Sequence, residues 1–154
     1  MELSDILAPE AVRFVGKPAS KKRILQDIAA RAGQIYGLDQ DAAFDALQAR
    51  ESLGPTGVGE GVAIPHARLH GLDGIVGVFF RLEKPLDYDS VDRQPVDLVF
   101  ALFAPVASGV EHLKALACIS RLLRAPTTRS KLRANDDEAT LYAILTETAA
   151  TRAA

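Results

Sequence analysis

The chain has no tryptophan, one cysteine and one methionine, and only 6% of its 154 residues are aromatic. Cys118 alone can make neither an intrachain disulfide nor a cysteine metal cluster, and such cysteine usage reads as cytosolic. An excess of one charge is also missing. The 18 basic and 20 acidic side chains leave a net charge of −2, so no basic footprint points to nucleic acid or an anionic membrane. No apolar run approaches the roughly 20 residues of a spanning helix. The longest, Leu98 to Val106, is interrupted by Pro105. The amino terminus, Met1-Glu2-Leu3-Ser4-Asp5, lacks the positive region and apolar core of a signal peptide.

Motif absences narrow the chemistry further. The Gly-Lys-Ser/Thr tripeptide of a nucleotide P-loop does not occur, and no serine stands in a G-x-S-x-G elbow. Gly57, Gly59 and Gly61 lack the third glycine of a dinucleotide fingerprint, and Glu60 among them would repel a pyrophosphate. His66 and His70 stand four apart, a zinc-ligand spacing on a helix, but Pro65 and Gly71 bracket them too tightly for one. Neither a cofactor nor a metal is expected.

What is present suits one domain over residues 1–154, with 48% apolar and 25% charged side chains. A domain of this size buries roughly 70% of its unfolded surface. Only Thr148 to Ala154 look frayed. A helical turn is expected at Leu3–Leu7 and a short strand at Ala11–Val15. Ser20 caps a helix with Ile24, Leu25, Ile28, Ala32 and Ile35 inward, ended by Gly37. A second helix starts near Asp39 or Asp41, carries Phe44 and Leu47 inward, and stops at Gly54-Pro55. Strands follow at Gly74–Leu82 and, centrally, Val96–Ala104, with loop or edge structure over Pro85–Arg93. Helix resumes near Val110 with Leu113, Leu116, Ala117, Ile119, Leu122 and Leu123 as its apolar face. Pro126 interrupts it before a short piece at Thr128–Arg133. Asn135-Asp136-Asp137-Glu138 resembles a capping box before a last helix with Leu141, Tyr142, Ile144 and Leu145 inward. The order predicts an α/β fold: a mixed sheet of about five strands with helices on both faces.

The informative stretch is Gly54 to His70, GPTGVGEGVAIPHARLH. Its glycines admit backbone conformations closed to other residues, and Pro65 biases Ile64 toward extended geometry. His66 therefore leaves a strand end at a rigid corner. One ring nitrogen of such a histidine can attack a phosphoryl group while the other holds a hydrogen bond. Phosphoryl transfer needs positioning and nearby donors, for which Arg50, Arg68 and His112 are candidates. Each has a plainer reading as well. His66 could be a hydrogen-bonded structural residue, His112 a solvated helix-start residue, and Arg50 a cation complementing a helix dipole. Arg68 and His70 could be ordinary surface, and Cys118 a small core filler.

The run Arg50-Glu51, Gly54, then Thr56-Gly57-Val58-Gly59-Glu60-Gly61-Val62-Ala63-Ile64-Pro65-His66 resembles the active-site signature of the fructose/mannitol type of enzyme IIA. These proteins belong to the bacterial phosphoenolpyruvate-dependent phosphotransferase system. The likeness continues through Asp92–Leu102 and His112-Leu113, and is greatest to the nitrogen-regulatory branch, stand-alone domains without a fused permease. The resemblance implies a cytoplasmic phosphocarrier. His66 would accept a phosphoryl group on Nε2 from an HPr-like phosphocarrier protein, His112 would be the second active-site histidine, and Arg50 would stabilise the phosphate. It also implies regulation of other proteins by phosphorylation state, potassium-uptake components and sensor kinases among them. The rivals are a sugar-specific IIA passing phosphate to a permease subunit, and a binding module with vestigial phosphorylation. Ala67 departs from the glycine the family often has after its histidine.

Overall fold

The computed structural model describes residues 2–147, so the tail from Thr148 lies outside the described residues. A 3₁₀ turn at Leu3–Asp5 leads into β1 (Leu7–Val15), α1 (Lys21–Tyr36) and α2 (Gln40–Ser52). Four strands follow, β2 (Gly57–Gly59), β3 (Val62–Ala63), β4 (His66–Leu69) and β5 (Val76–Leu86). Then come β6 (Val96–Pro105), α3 (Gly109–Arg124), α4 (Pro126–Arg133) and α5 (Glu138–Leu145).

The helix boundaries follow their caps. Ser20 Oγ accepts the Arg23 amide at 3.1 Å, and Gly37 closes α1 in the left-handed region at φ 73°. The Asp39 carboxylate accepts the Ala42 amide at 3.0 Å to open α2. Pro126 takes the first position of α4, where its missing N–H costs nothing. Asp137 caps α5 through Thr140, but this is not a capping box: Glu138 instead reaches across to accept the Phe14 amide at 2.9 Å.

Strand β6 is the centre, buried continuously from Leu98 to Ala104. Since alternate residues point to opposite faces, helices must cover both. The helices α1 and α2 pack together, and α3, α4 and α5 form a second packed succession. β6 pairs antiparallel with β5, which pairs parallel with the edge strand β1. Along its other edge β6 pairs parallel with β3 and then β4, and β2 lies antiparallel outside β3. The mixed sheet expected from the sequence thus has six strands. The extra one arises because Val62-Ala63 and His66–Leu69 pair separately on either side of Ile64-Pro65.

Two boundaries and one helix face differ from expectation for physical reasons. β1 starts at Leu7 and runs through Pro9, which an edge strand tolerates because no partner needs the missing N–H. Its register shifts between Leu7 and Val12, and Tyr36 patches the gap, accepting the Ala8 amide at 2.9 Å and donating to the Gly77 carbonyl at 2.7 Å. β5 runs through Pro85 to Leu86, past a register shift in its pairing with β6. The α3 stripe is His112, Ala115, Ile119, Leu122 and Leu123, with Leu113 63% exposed, so the expected face is rotated and a histidine turns inward.

Candidate active site

The site forms where one extended segment is broken in the middle. Val62 and Ala63 pair with Leu98 and Val99, and His66 to Leu69 pair with Leu102 to Pro105. Between them the Ile64 amide donates to the Thr56 carbonyl at 2.9 Å, and the Pro65 carbonyl accepts the Leu102 amide at 2.9 Å. The break is clamped from both sides.

That geometry sets the His66 ring. Its Nδ1 lies 2.8 Å from the Ile64 carbonyl oxygen. A carbonyl only accepts, so Nδ1 carries the proton and Nε2 keeps its lone pair. Burial holds this imidazole below its ordinary pKa; the Ile64 carbonyl pushes it up, Arg50 down and Glu51 up. The ring is therefore neutral at neutral pH, with its lone pair on Nε2.

His112, in the first turn of α3, stands beside it with ring centroids 5.6 Å apart and planes at 73°. It is not a solvated helix-start residue, because only 5% of it is exposed. Arg68 Nε donates to its Nδ1 at 3.1 Å, and its Nε2 is buried without a hydrogen-bond partner among the described residues. Arg50, in the last turn of α2, donates Nη1–H to the Gly54 carbonyl at 2.8 Å, and its charge pushes the His66 imidazole down. The sequence candidates His66, His112, Arg50 and Arg68 thus converge, whereas His70 is exposed just beyond β4.

The glycines serve close approach. β2 and β3 form a hairpin whose two turn residues, Glu60 and Gly61, have φ of 57° and 76°, the handedness that tight hairpins require. A Cβ on Gly57 would stand 3.0 Å from Ser90 Cα and closer still to the Ser90 side chain. Arg133 holds the hairpin tip, donating to the Glu60 carbonyl at 2.6 Å and forking onto Asp97.

A cluster unforeseen from the sequence lies behind Arg50. The Glu51 side chain, 6% exposed, accepts from Lys21 Nζ at 2.7 Å, the Thr56 amide at 3.2 Å and Tyr88 Oη at 3.1 Å, and from Thr56 Oγ1. Lys21 Nζ also sits 4.6 Å from the Tyr88 ring centroid. Burial and the Glu51 charge raise the Tyr88 hydroxyl pKa, so it stays a donor. Glu51 and Thr56 were visible as parts of one motif, but nothing marked Lys21 and Tyr88 as their partners.

Residues 5–148 match the family described as phosphoenolpyruvate-dependent sugar phosphotransferase system, EIIA 2. A nitrogen regulatory protein of Bradyrhizobium diazoefficiens is 49% identical over 99% of this chain and 100% of its own length. Another, from Escherichia coli, is 39% identical over 98% of this chain and 93% of its own. The crystal structure of nitrogen regulatory protein IIA-Ntr from Neisseria meningitidis superposes with a TM-score of 0.85 at 32% identity, covering 94% of this chain and 99% of that one.

Proposed function

The chain belongs to the EIIA 2 family of the phosphoenolpyruvate-dependent sugar phosphotransferase system, and we propose that it is a nitrogen-regulatory phosphocarrier in which His66 Nε2 receives and releases the phosphoryl group. The observation that carries this reading is the hydrogen bond from His66 Nδ1 to the Ile64 carbonyl, which leaves Nε2 as the free lone pair.

In the step itself, the bond between phosphorus and the donor's histidine nitrogen breaks, and that ring leaves neutral. The Nε2 lone pair of His66 forms the new P–N bond. The Nδ1 proton stays where the Ile64 carbonyl holds it, so no proton need move and the phosphorylated ring is cationic. A cationic imidazole ring is a good leaving group, which suits a carrier that must pass its cargo on. The dispersed charge of the loose transition state is met by Arg50 and by the buried Nε2–H of His112.

The donor is an HPr-like phosphocarrier that docks over the site. Leu53 beyond Arg50, Val106 after β6, and Val110 and Leu113 flanking His112 are exposed large apolar side chains at 83%, 44%, 64% and 63%. Each is within three residues along the chain of Arg50 or His112 or directly follows β6, and such exposed apolar side chains suit a protein interface. Phosphorylation adds about two negative charges at that centre. Regulatory target proteins covering the same face, such as potassium-uptake components and sensor kinases, then discriminate the two forms by about 1–3 kcal/mol. No described helix is long and apolar enough to cross a membrane.

Incubation with phosphoenolpyruvate, enzyme I and an HPr-type carrier, followed by peptide mass spectrometry in alkali, tests the assignment. Label is expected on His66 alone and is insensitive to chelator when the donor arrives already phosphorylated. Label on His70 or His112 in the wild type, or none at all, overturns it.

A further inference from the structure

We infer that Arg68 is a positioning residue for the transfer: by donating Nε–H to His112 Nδ1, it holds that ring as the neutral tautomer whose only N–H is on Nε2. The inference deepens the reading of His66 as phosphoryl acceptor and rests on it for its purpose, though not for its geometry.

The argument begins with the guanidinium, which has donors and no acceptor. At 3.1 Å from Arg68 Nε, His112 Nδ1 must therefore present a lone pair. A neutral imidazole has one lone pair and one N–H, which puts the proton on Nε2. That atom is buried and has no partner among the described residues. Buried N–H groups are nearly always satisfied, and one left open beside a nucleophile has its partner still to come. The chemistry that fits is a phosphoryl oxygen on the adjacent His66, whose ring centroid is 5.6 Å away.

Arg68 also decides the charge of His112. A second proton could enter only at Nδ1, the atom that Arg68 occupies. The groups facing the ring act in the same direction. His66 and Arg68 come from β4, and the β6 residues paired with Arg68 and Leu69, Ala104 and Pro105, carry no charge. On its own helix Glu111 is exposed and turned to Lys114 at 3.6 Å. Burial, His66 and Arg68 all hold His112 below its ordinary pKa. A neutral donor steadies the phosphoryl group without setting a full imidazolium against it, so the group stays transferable.

The test uses the full unphosphorylated chain with ¹⁵N-labelled histidines, titrated by NMR as wild type and as Arg68→Ala and Arg68→Lys. In the wild type His112 is expected to carry its proton on Nε2 and to titrate below about 6.5, the ordinary histidine value. In Arg68→Ala the tautomers should mix and the midpoint should rise toward that value. Phosphorylation of His66 should slow by roughly 10- to 100-fold, by analogy with the loss of a group that orients a metal-bound histidine. Arg68→Lys, which keeps a donor and a charge, should recover most of both. A wild-type proton on Nδ1, or an unchanged tautomer and midpoint in Arg68→Ala, overturns the inference. A wild-type protein that takes no label on His66 defeats the carrier reading instead, leaving the tautomer result to stand or fall by itself.

Discussion

Replacing Glu51 with alanine should cost both stability and transfer rate, although the side chain is not placed against the reacting atoms. Four donors converge on this carboxylate from three separate parts of the chain: Lys21, the Thr56 amide and hydroxyl, and Tyr88. Lys21 is 25% exposed and regains water in the mutant, so its share is about 0–1 kcal/mol. Tyr88 keeps a partner in Thr56 Oγ1 at 3.2 Å. The Thr56 amide has no such substitute in a residue only 3% exposed, and a stranded buried donor costs about 1–3 kcal/mol. The sum is about 1–4 kcal/mol, which for a chain of this size lowers the melting temperature by roughly 2–16 °C. Arg50 adjoins Glu51, and its hold on the Gly54 carbonyl shares the turn that Glu51 braces. Labelling of His66 should therefore slow even at temperatures where the mutant is folded. Thermal unfolding followed by circular dichroism, paired with a labelling time course at 20 °C below the mutant midpoint, measures the two effects separately. A midpoint within about 1 °C of wild type would refute the reasoning, because it would mean the cluster contributes less than about 0.5 kcal/mol.

Three further outcomes follow from the same geometry. Arg50→Ala should slow phosphorylation by about 10²–10³-fold while shifting stability by no more than about 1 kcal/mol; a wild-type labelling rate would make Arg50 mere surface. Both His66 and His112 have depressed folded-state pKa values, so the unfolded chain binds protons first as pH falls. Stability is then full above about 6.5 and declines below it until the folded values are passed, and a melting temperature that rises between pH 7 and pH 5.5 would contradict this. Gly57→Ala should destabilise by about 1–3 kcal/mol, because its Cβ meets the Ser90 backbone as well as a movable side chain. Equal denaturant midpoints for mutant and wild type would show that the loop from Asp87 to Pro95 gives way freely.

Local signals in the sequence carried the helices and the corner at His66. Ser20, Gly37, Asp39 and Pro126 act on residues within four positions, so their effects could be read from the chain alone. The histidine after Ile64-Pro65 was legible for the same reason, since its Nδ1 partner is only two residues back. Features that depend on tertiary packing were not. The inward turn of His112 defeats hydrophobic periodicity, because a buried histidine counts as polar in any apolar pattern. Pro9 signals a strand stop except on an edge strand, and edge position is a property of the whole sheet. Glu51 and Tyr88 are 37 residues apart, and neither marks the other in the sequence. The glycines invited a phosphate-loop reading when their role is to let the Ser90 loop and Arg133 come close.

The broken strand also limits how a signal can leave this protein. His66 is laced through its neighbours to β6, the least yielding part of the molecule, so a group attached to its ring has little leverage on the backbone behind it. News of the modification is thus available only at the modified spot. Under the proposed carrier reading, any protein that reads it must sit where the donor sat, and the two exclude each other. The time each spends on that one face, rather than a shape change passed to a distant face, then sets the response.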